Sequence, residues 1–381
     1  MLDTIRVRSP YIGKSLAEHV EGFLKTRMAI DNATQREEYR FVSGSLQGSW
    51  ESSIAVNVKR QEWRALRSWG DLGAKAVTML VECPPYLTVE GSVHKALLGH
   101  NVFGGPRDVA AATRWYLHTI ASDAGCVFPD PAQWHYERVD WAWLFDLGDG
   151  ASVSEYIQQL ALARYPRRKV HRYADQTVMF SGTTTTWKVY WKGPEYEKHD
   201  RRRVLTVSGA DQAEQLLQRA ARSLRCELSV KAKKLEDLRE NRQLPLVGEV
   251  SSEWLEELMA EETERIIHEG KEEMETVRQH QEVQKRLGEV YGTSLARRLF
   301  GTWIQMATMG EKNVKDHMND ATFYRQRKQL IAAGVSWLGA DIHIRESAIP
   351  AGFTISRSSP FRLQEEAPEV IDALAPYRDA A

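Results

Sequence analysis

The sequence contains 381 residues, of which 42% are hydrophobic and 27% are charged, and its formal net charge is −1. This is the composition of an ordinary globular protein of two or three domains, and the total charge does not indicate a nucleic-acid partner. Three cysteines without a C-x-x-C pair argue against zinc ribbons and thioredoxin-like redox centres and are typical of a reducing cytosol.

The first part of the chain mixes strands with a helix. The start, MLDTIRVRSP, has no apolar signal core, and no apolar run is long enough to cross a bilayer, so we expect neither secretion nor a membrane segment. Residues 4–9 alternate like a strand, and "SWESSIAVNVKR" and "AKAVTMLVEC" predict two more. Residues 107–125 have helical periodicity and end at a glycine.

A regular order of elements follows between residues 135 and 233. The pattern predicts a strand at 135–145, a helix in "SVSEYIQQLALARY", two strands that meet at Ser181–Gly182, a helix in "ADQAEQLLQRAARSL" and a strand at 224–233. The order β-α-β-β-α-β is that of a ferredoxin-like core, in which the first and third strands are adjacent. We therefore expect an α+β fold with such a core in its N-terminal domain.

The chain beyond this core is mostly helical. Pro245 and Gly248 mark a shift in composition, after which a Glu-rich amphipathic stretch begins. The sequence predicts a mixed domain at 1–240, a linker at 241–252, a helical domain at 253–345 and a flexible tail at 346–381.

Two helices near the end of the helical domain are joined by a turn at Asn319–Asp320. The second, "ATFYRQRKQLIAAG", is predicted to be capped by Asp320 and to stop at Gly334. Its cations, Arg325, Arg327 and Lys328, make the pair a candidate helix-turn-helix. Plain helical packing is the alternative.

Charge is segregated along the chain although it nearly cancels in total. Basic residues crowd 164–173, which includes Arg167 and Arg168, and 198–203, whereas acidic residues crowd 253–275. Such asymmetry favours a polyanion partner, but two solvated faces would give the same pattern.

Alternation along "TTTTWKVYWKG" predicts a sheet face that carries chemistry. Side chains on a strand alternate between faces, so Lys188, Tyr190 and Lys192 share one face and the tryptophans beside them share the other. The same open face is predicted to receive polar side chains from the first and last strands of the core: Arg138, Asp140, Arg225, Glu227, Ser229 and Lys231. A salt-bridged, solvated face is the alternative.

These residue types can cleave a phosphodiester. A tyrosine hydroxyl can attack phosphorus and form a covalent intermediate. Its pKa is ordinarily about 10, and nearby cations such as Lys188 and Lys192 would favour the phenolate or hold the phosphate. Two carboxylates, Asp140 and Glu227, can bind Mg²⁺ or Mn²⁺.

Two further side chains compete for roles in this chemistry. His100, in "KALLGHNVFGG", is a candidate metal ligand or a residue that braces its loop. Tyr196 is a rival nucleophile, but it follows Gly193–Pro194 and is expected in a loop, so Tyr190 is preferred.

Several strings together resemble the replication initiators of filamentous bacteriophages, the gene II/X family. They are "LLGHNVFGG", "ERVDWAW", "TTTTWKVYWKGPEYEKHD" and "LRCELSVKAKKL", with a similar start, "MLDTIRVRSPYI", and a similar C-terminal stretch, "TFYRQRKQLIAAGVS". The resemblance covers most of residues 1–340. It departs from the wider class of rolling-circle initiators, because no His-apolar-His triplet is present.

The resemblance implies a function and assigns roles to residues. Members of the family nick one strand of double-stranded phage DNA at its origin through a tyrosine, leave a 3′-OH for a host polymerase, and later rejoin the displaced strand. This implies that 1–240 is the nicking domain, that Tyr190 is the nucleophile with Lys188 and Lys192 beside it, and that Asp140 and Glu227, with His100 as a further candidate, bind Mg²⁺ or Mn²⁺. The DNA contacts expected are Arg138, Arg225, Lys231, Arg167, Arg168, Arg325, Arg327 and Lys328.

The same resemblance implies partners and a location. We expect phage or plasmid DNA at the replication origin as the partner, with a host helicase and polymerase as further candidates, in the cytoplasm of the bacterial host. A non-catalytic origin-binding or regulatory protein is the main alternative, and a phosphodiesterase that uses water is a weaker one.

Overall fold

The computed structural model describes residues 1–23, 25–30, 37–43, 54–70, 73–161, 168–173, 176–272, 280–338 and 349–378. The strands of the main sheet are β1 (Leu2–Arg8), β4 (Ala55–Gly70), β5 (Gly73–Ser92), β6 (His135–Asp146), β7 (Lys169–Tyr173), β8 (Thr177–Ser181), β9 (Thr185–Trp191), β10 (Ser223–Lys231) and β11 (Arg362–Leu363). Strands β2 (Lys25–Ile30) and β3 (Glu37–Ser43) form a separate hairpin.

The helices surround this sheet and extend beyond it. They are α1 (Lys14–Phe23), α2 (Val93–Leu98), α3 (Val109–Asp123), α4 (Gly150–Leu160), α5 (Lys192–His199), α6 (Arg201–Ser208), α7 (Ala210–Ala221), α8 (Ala232–Leu235), α9 (Ser252–Glu272), α10 (His280–Met309), α11 (Glu311–His317), α12 (Asp320–Ala332) and α13 (Pro368–Arg378). None of the helices in the described ranges is long and apolar enough to cross a membrane. The predicted α+β class is confirmed.

The main sheet is antiparallel, and its strand order is β4-β5-β1-β6-β10-β9-β8-β7, with β11 paired to the end of β6. The predicted elements are present in the predicted order: β6, α4, β8, β9, α7 and β10. The predicted hairpin is also present, with Gly182 N donating to Thr185 O at 2.9 Å between β8 and β9.

The ferredoxin-like strand arrangement is wrong. It required β6 and β9 to be neighbours, but β10 lies between them and is antiparallel to both. The reason is the connection from β9 to β10. Helices α5, α6 and α7 return the chain to the end of the sheet that it left, so Leu224 at the start of β10 lies opposite Trp191 at the end of β9.

One face of the sheet is covered by helices. Trp141, Trp143 and Trp187 are fully buried there, and the indole nitrogens of Trp143 and Trp187 donate to Glu256 Oε2 at 2.9 Å and Thr263 Oγ1 at 3.0 Å on α9. Burial of each indole contributes about 5 kcal/mol at most to folding. Helix α9 therefore belongs to the same hydrophobic core as the sheet.

A second hydrophobic core lies within α10, α11 and α12 and includes Leu299, Trp303, Phe323 and Leu330. Helices α11 and α12 occur where the sequence predicts them, and Gly334 ends the second with a φ of 69°. The capping residue is Asn319 rather than Asp320, since the Asn319 side chain accepts from Ala321 N at 3.0 Å. The helix-turn-helix role of the pair stays a prediction.

Residues 349–378, called here the C-terminal segment, pack against the sheet and its helices. Strand β11 extends β6, Arg362 Nη2 donates to Glu256 Oε1, and Arg114 Nη1 donates to Tyr377 O at 3.0 Å. Val370 and Leu374 of α13 are fully buried in the first core. The predicted domain bounds stay a prediction, but α9 and this segment both share the core of the N-terminal sheet.

Candidate nicking site

The face of the sheet opposite α9 is the floor of a cleft of about 1220 Å³. Strands β1, β6, β10 and β9 form its floor, and α2 and the α5–α6 junction contribute to its side. Most of the side chains that the sequence predicts to share one face line it: Arg138, Asp140, Lys188, Tyr190, Glu227, Ser229 and Lys231. The alternation of side chains along the strands therefore predicted the contents of the cleft correctly.

The position of β10 decides which of these side chains meet. Glu227 lies directly opposite Lys188 of β9, and Arg225 lies opposite Tyr190. Directly opposed residues on antiparallel strands have Cβ atoms about 5 Å apart, within reach of long polar side chains. Glu227 thus contacts the residues around the tyrosine directly.

Tyr190 and Glu227 are joined by a hydrogen bond. The Tyr190 hydroxyl donates to Glu227 Oε1 at 2.7 Å, and the two residues are 5% and 7% exposed. Lys188 Nζ lies 2.6 Å from Glu227 Oε2 and 4.4 Å from the centroid of the Tyr190 ring. Arg225 Nε donates to Glu227 Oε1 at 2.8 Å, so two cations and a phenol surround one carboxylate.

The protonation of this group differs from the predicted phenolate. Burial raises the pKa of Tyr190 well above its ordinary value, and the charge of Glu227 raises it further. Burial opposes the charge of Glu227 too, but Lys188 and Arg225 hold the pKa of that carboxyl well below its usual range. The expectation that Lys188 and Lys192 favour a resting phenolate is therefore wrong: at neutral pH a neutral tyrosine donates to an ionised glutamate.

Lys192 has a different environment from the one predicted. Strand β9 ends at Trp191, and Lys192 is the first residue of α5, with its side chain fully buried. Its Nζ donates to Asn101 Oδ1 at 2.5 Å and to Glu195, and burial lowers its pKa. Lys192 thus supports the wall of the cleft.

Asp140 lies on β6, one strand away from Glu227 across β10. Arg138 Nε donates to Asp140 Oδ1 at 2.8 Å and Arg138 Nη2 donates to Asp140 Oδ2, so both carboxylate oxygens are held by one guanidinium. Burial, partly offset by Arg138, raises the pKa of Asp140 from 3.8 to about 6. Arg138 also donates to Glu90 Oε1 at 3.2 Å.

The predicted metal ligands do not converge on one point. His100 lines a separate cavity of about 630 Å³ formed with the C-terminal segment, and its Nδ1 accepts from Val102 N at 3.3 Å. Burial, with the nearby Lys192, lowers the pKa of His100 to about 4, so the ring is neutral. Among the residues that the structure describes, no group of three or more His, Cys, Asp or Glu side chains is placed to hold a metal ion.

Tyr196 lies in α5, and its prediction as a loop residue is wrong. Its ring is fully buried in a small core with Val102 and Leu216, and its hydroxyl donates to Ala213 O at 3.2 Å. Because Tyr196 does not line the cleft, the preference for Tyr190 gains support.

The other predicted DNA contacts have mixed environments. Arg225 is fully buried, and Arg168 pairs with Glu262 of α9. Arg327 donates to Glu311 Oε1 at 2.6 Å, whereas Arg325 and Lys328 are exposed on α12. Lys231 lines the cleft and donates to Gly182 O at 2.6 Å. Arg167 lies outside the described residues.

Two residues of the site were missed in the sequence. Asp3 on β1 lies 3.3 Å from Arg225 Nη2 through its Oδ2, and Asn101 uses its backbone carbonyl to accept from Arg225 Nη1 at 2.6 Å. Asn101 Nδ2 also donates to Asp3 Oδ1 at 3.2 Å. The only signal for Asn101 was its place beside His100 in the "GHNVFGG" string, and Asp3 has no local signal.

The family described as the N-terminal part of the phage replication-associated protein of gene II matches residues 1–257, about two thirds of the sequence. The chain belongs to this family. The resemblance to the gene II-type replication proteins of phages is thereby confirmed, and every cleft residue named above lies within the span that the family matches.

Comparisons with individual proteins add little to the family assignment. No curated protein matches the sequence. One similar solved structure is described as "Structure of Rolling Circle Replication Initiator Protein from Geobacillus stearothermophilus", with 11% identity and a TM-score of 0.26, over 68% of this chain and 95% of that chain. A TM-score that low carries no argument about mechanism.

Proposed function

We propose that this protein initiates rolling-circle replication by nicking, and later rejoining, one strand of phage replicative-form DNA at its origin, with Tyr190 as the nucleophile. The single observation that carries the proposal is the hydrogen bond from the Tyr190 hydroxyl to Glu227 Oε1, 2.7 Å long and set in a cleft of a replication-family domain. A buried phenol donating to an ionised carboxylate has the arrangement of a nucleophile and its general base.

Nicking begins with proton transfer to Glu227. The phenol oxygen attacks phosphorus while its proton passes to Glu227 Oε1, and a bond between Tyr190 and phosphorus forms as the bond from phosphorus to the 3′ oxygen breaks. The leaving 3′ oxygen takes a proton from solvent and becomes the 3′-OH. The product is DNA joined to Tyr190 through its 5′ phosphate, which preserves the energy of the broken bond for rejoining.

Lys188 links the proton transfer to phosphate binding. Burial lowers the pKa of Lys188, but the charge of Glu227 outweighs burial and raises it, so this side chain is cationic. In the resting site its charge is balanced by Glu227 at 2.6 Å. When Glu227 takes the tyrosine proton and becomes neutral, the positive charge of Lys188 is available to the phosphate oxygens as their negative charge grows.

Rejoining reverses these steps. A 3′-OH attacks the phosphotyrosine, and the phenol oxygen leaves with the proton that Glu227 returns. Because Arg225 holds the carboxylate at 2.8 Å throughout, Glu227 is positioned for both directions.

The requirement for Mg²⁺ or Mn²⁺ stays a prediction. Asp140 is held by Arg138, and Glu227 by Tyr190, Lys188 and Arg225, so this donor set does not fit a divalent cation as it stands. No step above is assigned to a metal.

Partners and location also belong to the proposal. Origin DNA would contact the cleft through Lys188, Lys231 and Arg138, and the exposed Arg325 and Lys328 of α12 would contact the duplex. A host helicase and polymerase, and the cytoplasm of the bacterial host, remain expectations from the family.

The test is direct. Purified protein is incubated with supercoiled DNA that carries the phage origin, with Mg²⁺, with Mn²⁺ and with a chelator, and open circles and covalent protein–DNA adducts are measured. Open circles with an adduct that Tyr190→Phe abolishes would support the proposal. Cleavage without an adduct would favour a phosphodiesterase that uses water, and binding without cleavage would favour a regulatory DNA-binding protein.

A further inference from the structure

Residues 99–107 form a loop, called here the site loop, whose Asn101 joins several parts of the cleft. Lys192 Nζ donates to Asn101 Oδ1 at 2.5 Å, Asn101 Nδ2 donates to Asp3 Oδ1 at 3.2 Å, and Arg225 Nη1 donates to the Asn101 carbonyl at 2.6 Å. Arg225 in turn holds Glu227, the hydrogen-bond partner of Tyr190. The position of the site loop therefore affects where the proposed base lies.

The C-terminal segment holds the other end of the site loop. Ala367 N donates to Gly104 O at 2.9 Å, and Arg107 N donates to Glu366 Oε1 at 2.7 Å. Gly104 has a φ of 75°, and a Cβ added there would lie 2.8 Å from the Ala367 Cβ. Only glycine fits so close an approach at this backbone conformation, so the two segments are packed in direct contact.

The C-terminal segment is itself fixed to the sheet. Arg362 pairs with Glu256 and lies 4.4 Å from the Trp143 ring centroid, and β11 pairs with the end of β6. Helix α13 packs on α3, where Tyr377 Oη lies 3.0 Å from His118 Nδ1. The segment is thus anchored on both sides of Glu366, independently of the site loop.

We propose that the C-terminal segment positions the proposed nicking site, with Glu366 as a positioning residue that fixes the site loop and, through Asn101 and Arg225, sets Glu227 against Tyr190. The inference rests on the proposed function for its catalytic half. It assigns a role to residues that lie outside the span 1–257 that the family matches.

Three variants of the full-length chain test this. Glu366→Ala removes the acceptor for Arg107 N. Glu366→Gln keeps an amide oxygen in its place. Glu365→Ala makes the matched change at the preceding, exposed residue. The first readout is hydrogen–deuterium exchange of the site loop without DNA. The second is the rate of adduct formation at saturating origin DNA, with affinity measured separately.

We expect Glu366→Ala to increase exchange in the site loop and to slow adduct formation about 10- to 100-fold, with unchanged affinity, because small displacements of reacting groups cost rates of this size. Glu366→Gln should restore both, and Glu365→Ala should behave like the wild type. Unchanged exchange in Glu366→Ala would overturn the positioning role, as would increased exchange with an unchanged rate. If the wild type forms no adduct, the proposed function fails instead, and the exchange data still decide whether Glu366 fixes the site loop.

Discussion

The Tyr190 hydroxyl donates its proton toward Glu227 Oε1 at 2.7 Å, and the same carboxylate is held by Lys188 and Arg225. In this arrangement the cations act on the glutamate, and the glutamate acts on the tyrosine. The phenol is kept neutral at rest, because its pKa is raised by burial and by Glu227. Reactivity would then depend on DNA arriving in the cleft, where proton transfer and attack occur together.

Replacement of Tyr190 by Phe should abolish covalent adducts and nicking while origin affinity stays within about twofold. The variant loses one hydrogen bond to a charged group, which costs about 1–3 kcal/mol of stability. Denaturing gels for the adduct and a thermal melt check both expectations. Tyr196→Phe is the matched control, since it also removes one hydroxyl from a buried ring, and it should still nick. Adducts formed by Tyr190→Phe would refute the assignment.

Replacement of Glu227 by Gln should slow adduct formation by about 10²- to 10⁴-fold, because an amide accepts a hydrogen bond but not a proton. Single-turnover cleavage of an origin oligonucleotide measures this rate. The change also leaves Lys188 and Arg225 without a charged partner, so a melt must establish that the variant is folded at the assay temperature.

Glu90→Gln is the control for Glu227. It removes a carboxylate from the same cleft, where Glu90 pairs with Arg138 and Arg6, and it should change the rate by less than about tenfold. Equal losses in both variants would mean that Glu227 contributes only charge to the cleft.

Asp140 predicts a pH-dependent contribution to stability. Burial, partly offset by Arg138, raises its pKa from 3.8 in the unfolded chain to about 6 in the folded protein. Between these values the folded state holds a proton that the unfolded state has released, so stability falls as pH rises from about 4 to about 6, by about 3 kcal/mol at most. Asp140→Asn lacks this component.

The melting temperature of Asp140→Asn, minus that of the wild type, should therefore increase from pH 4 to pH 6 and level off above it. Thermal melts of both proteins in a pH series measure the difference. A difference that is constant or decreases over this range would show that Asp140 ionises in the folded state at its ordinary pKa.

Double replacement of Arg325 and Lys328 by Ala should weaken origin binding and reduce its salt dependence. Each phosphate contact contributes about 0.9 to the slope of log K against log salt, so the slope should fall by about 2. Arg327 is left in place, because its bond to Glu311 gives it a structural partner. Lys14→Ala, at an exposed lysine of α1, is the control, and an unchanged slope in the double variant would argue against DNA contact by α12.

The contents of the cleft could be predicted because they depend on a local rule. Alternation along β6, β9 and β10 places Asp140, Tyr190 and Glu227 on one face whichever strands are neighbours. Their contacts depend on strand order, which local patterns do not encode. The three helices between β9 and β10 gave no signal that the chain would return beside β9, so the pairing of Glu227 with Lys188 was missed.

Lys192 and Tyr196 show a second limit. Gly193–Pro194 predicted a loop, yet these residues occupy the first turn of α5. Proline is tolerated there because its missing N–H would have no helical partner. A helix start can therefore follow a strand without an intervening turn. Asp3 and Asn101 reach the site only through contacts between distant parts of the sequence, which no local pattern reveals.

The contact between Arg107 and Glu366 joins positions 259 residues apart, and β11 pairs with a strand made early in synthesis. During translation, the end of β6 and the site loop emerge from the ribosome long before the C-terminal segment exists. At about 5–20 residues per second, the nascent sheet would wait on the order of ten seconds or more with this edge unpaired. The proposed nicking site would thus mature late, only after most of the polypeptide has been synthesised.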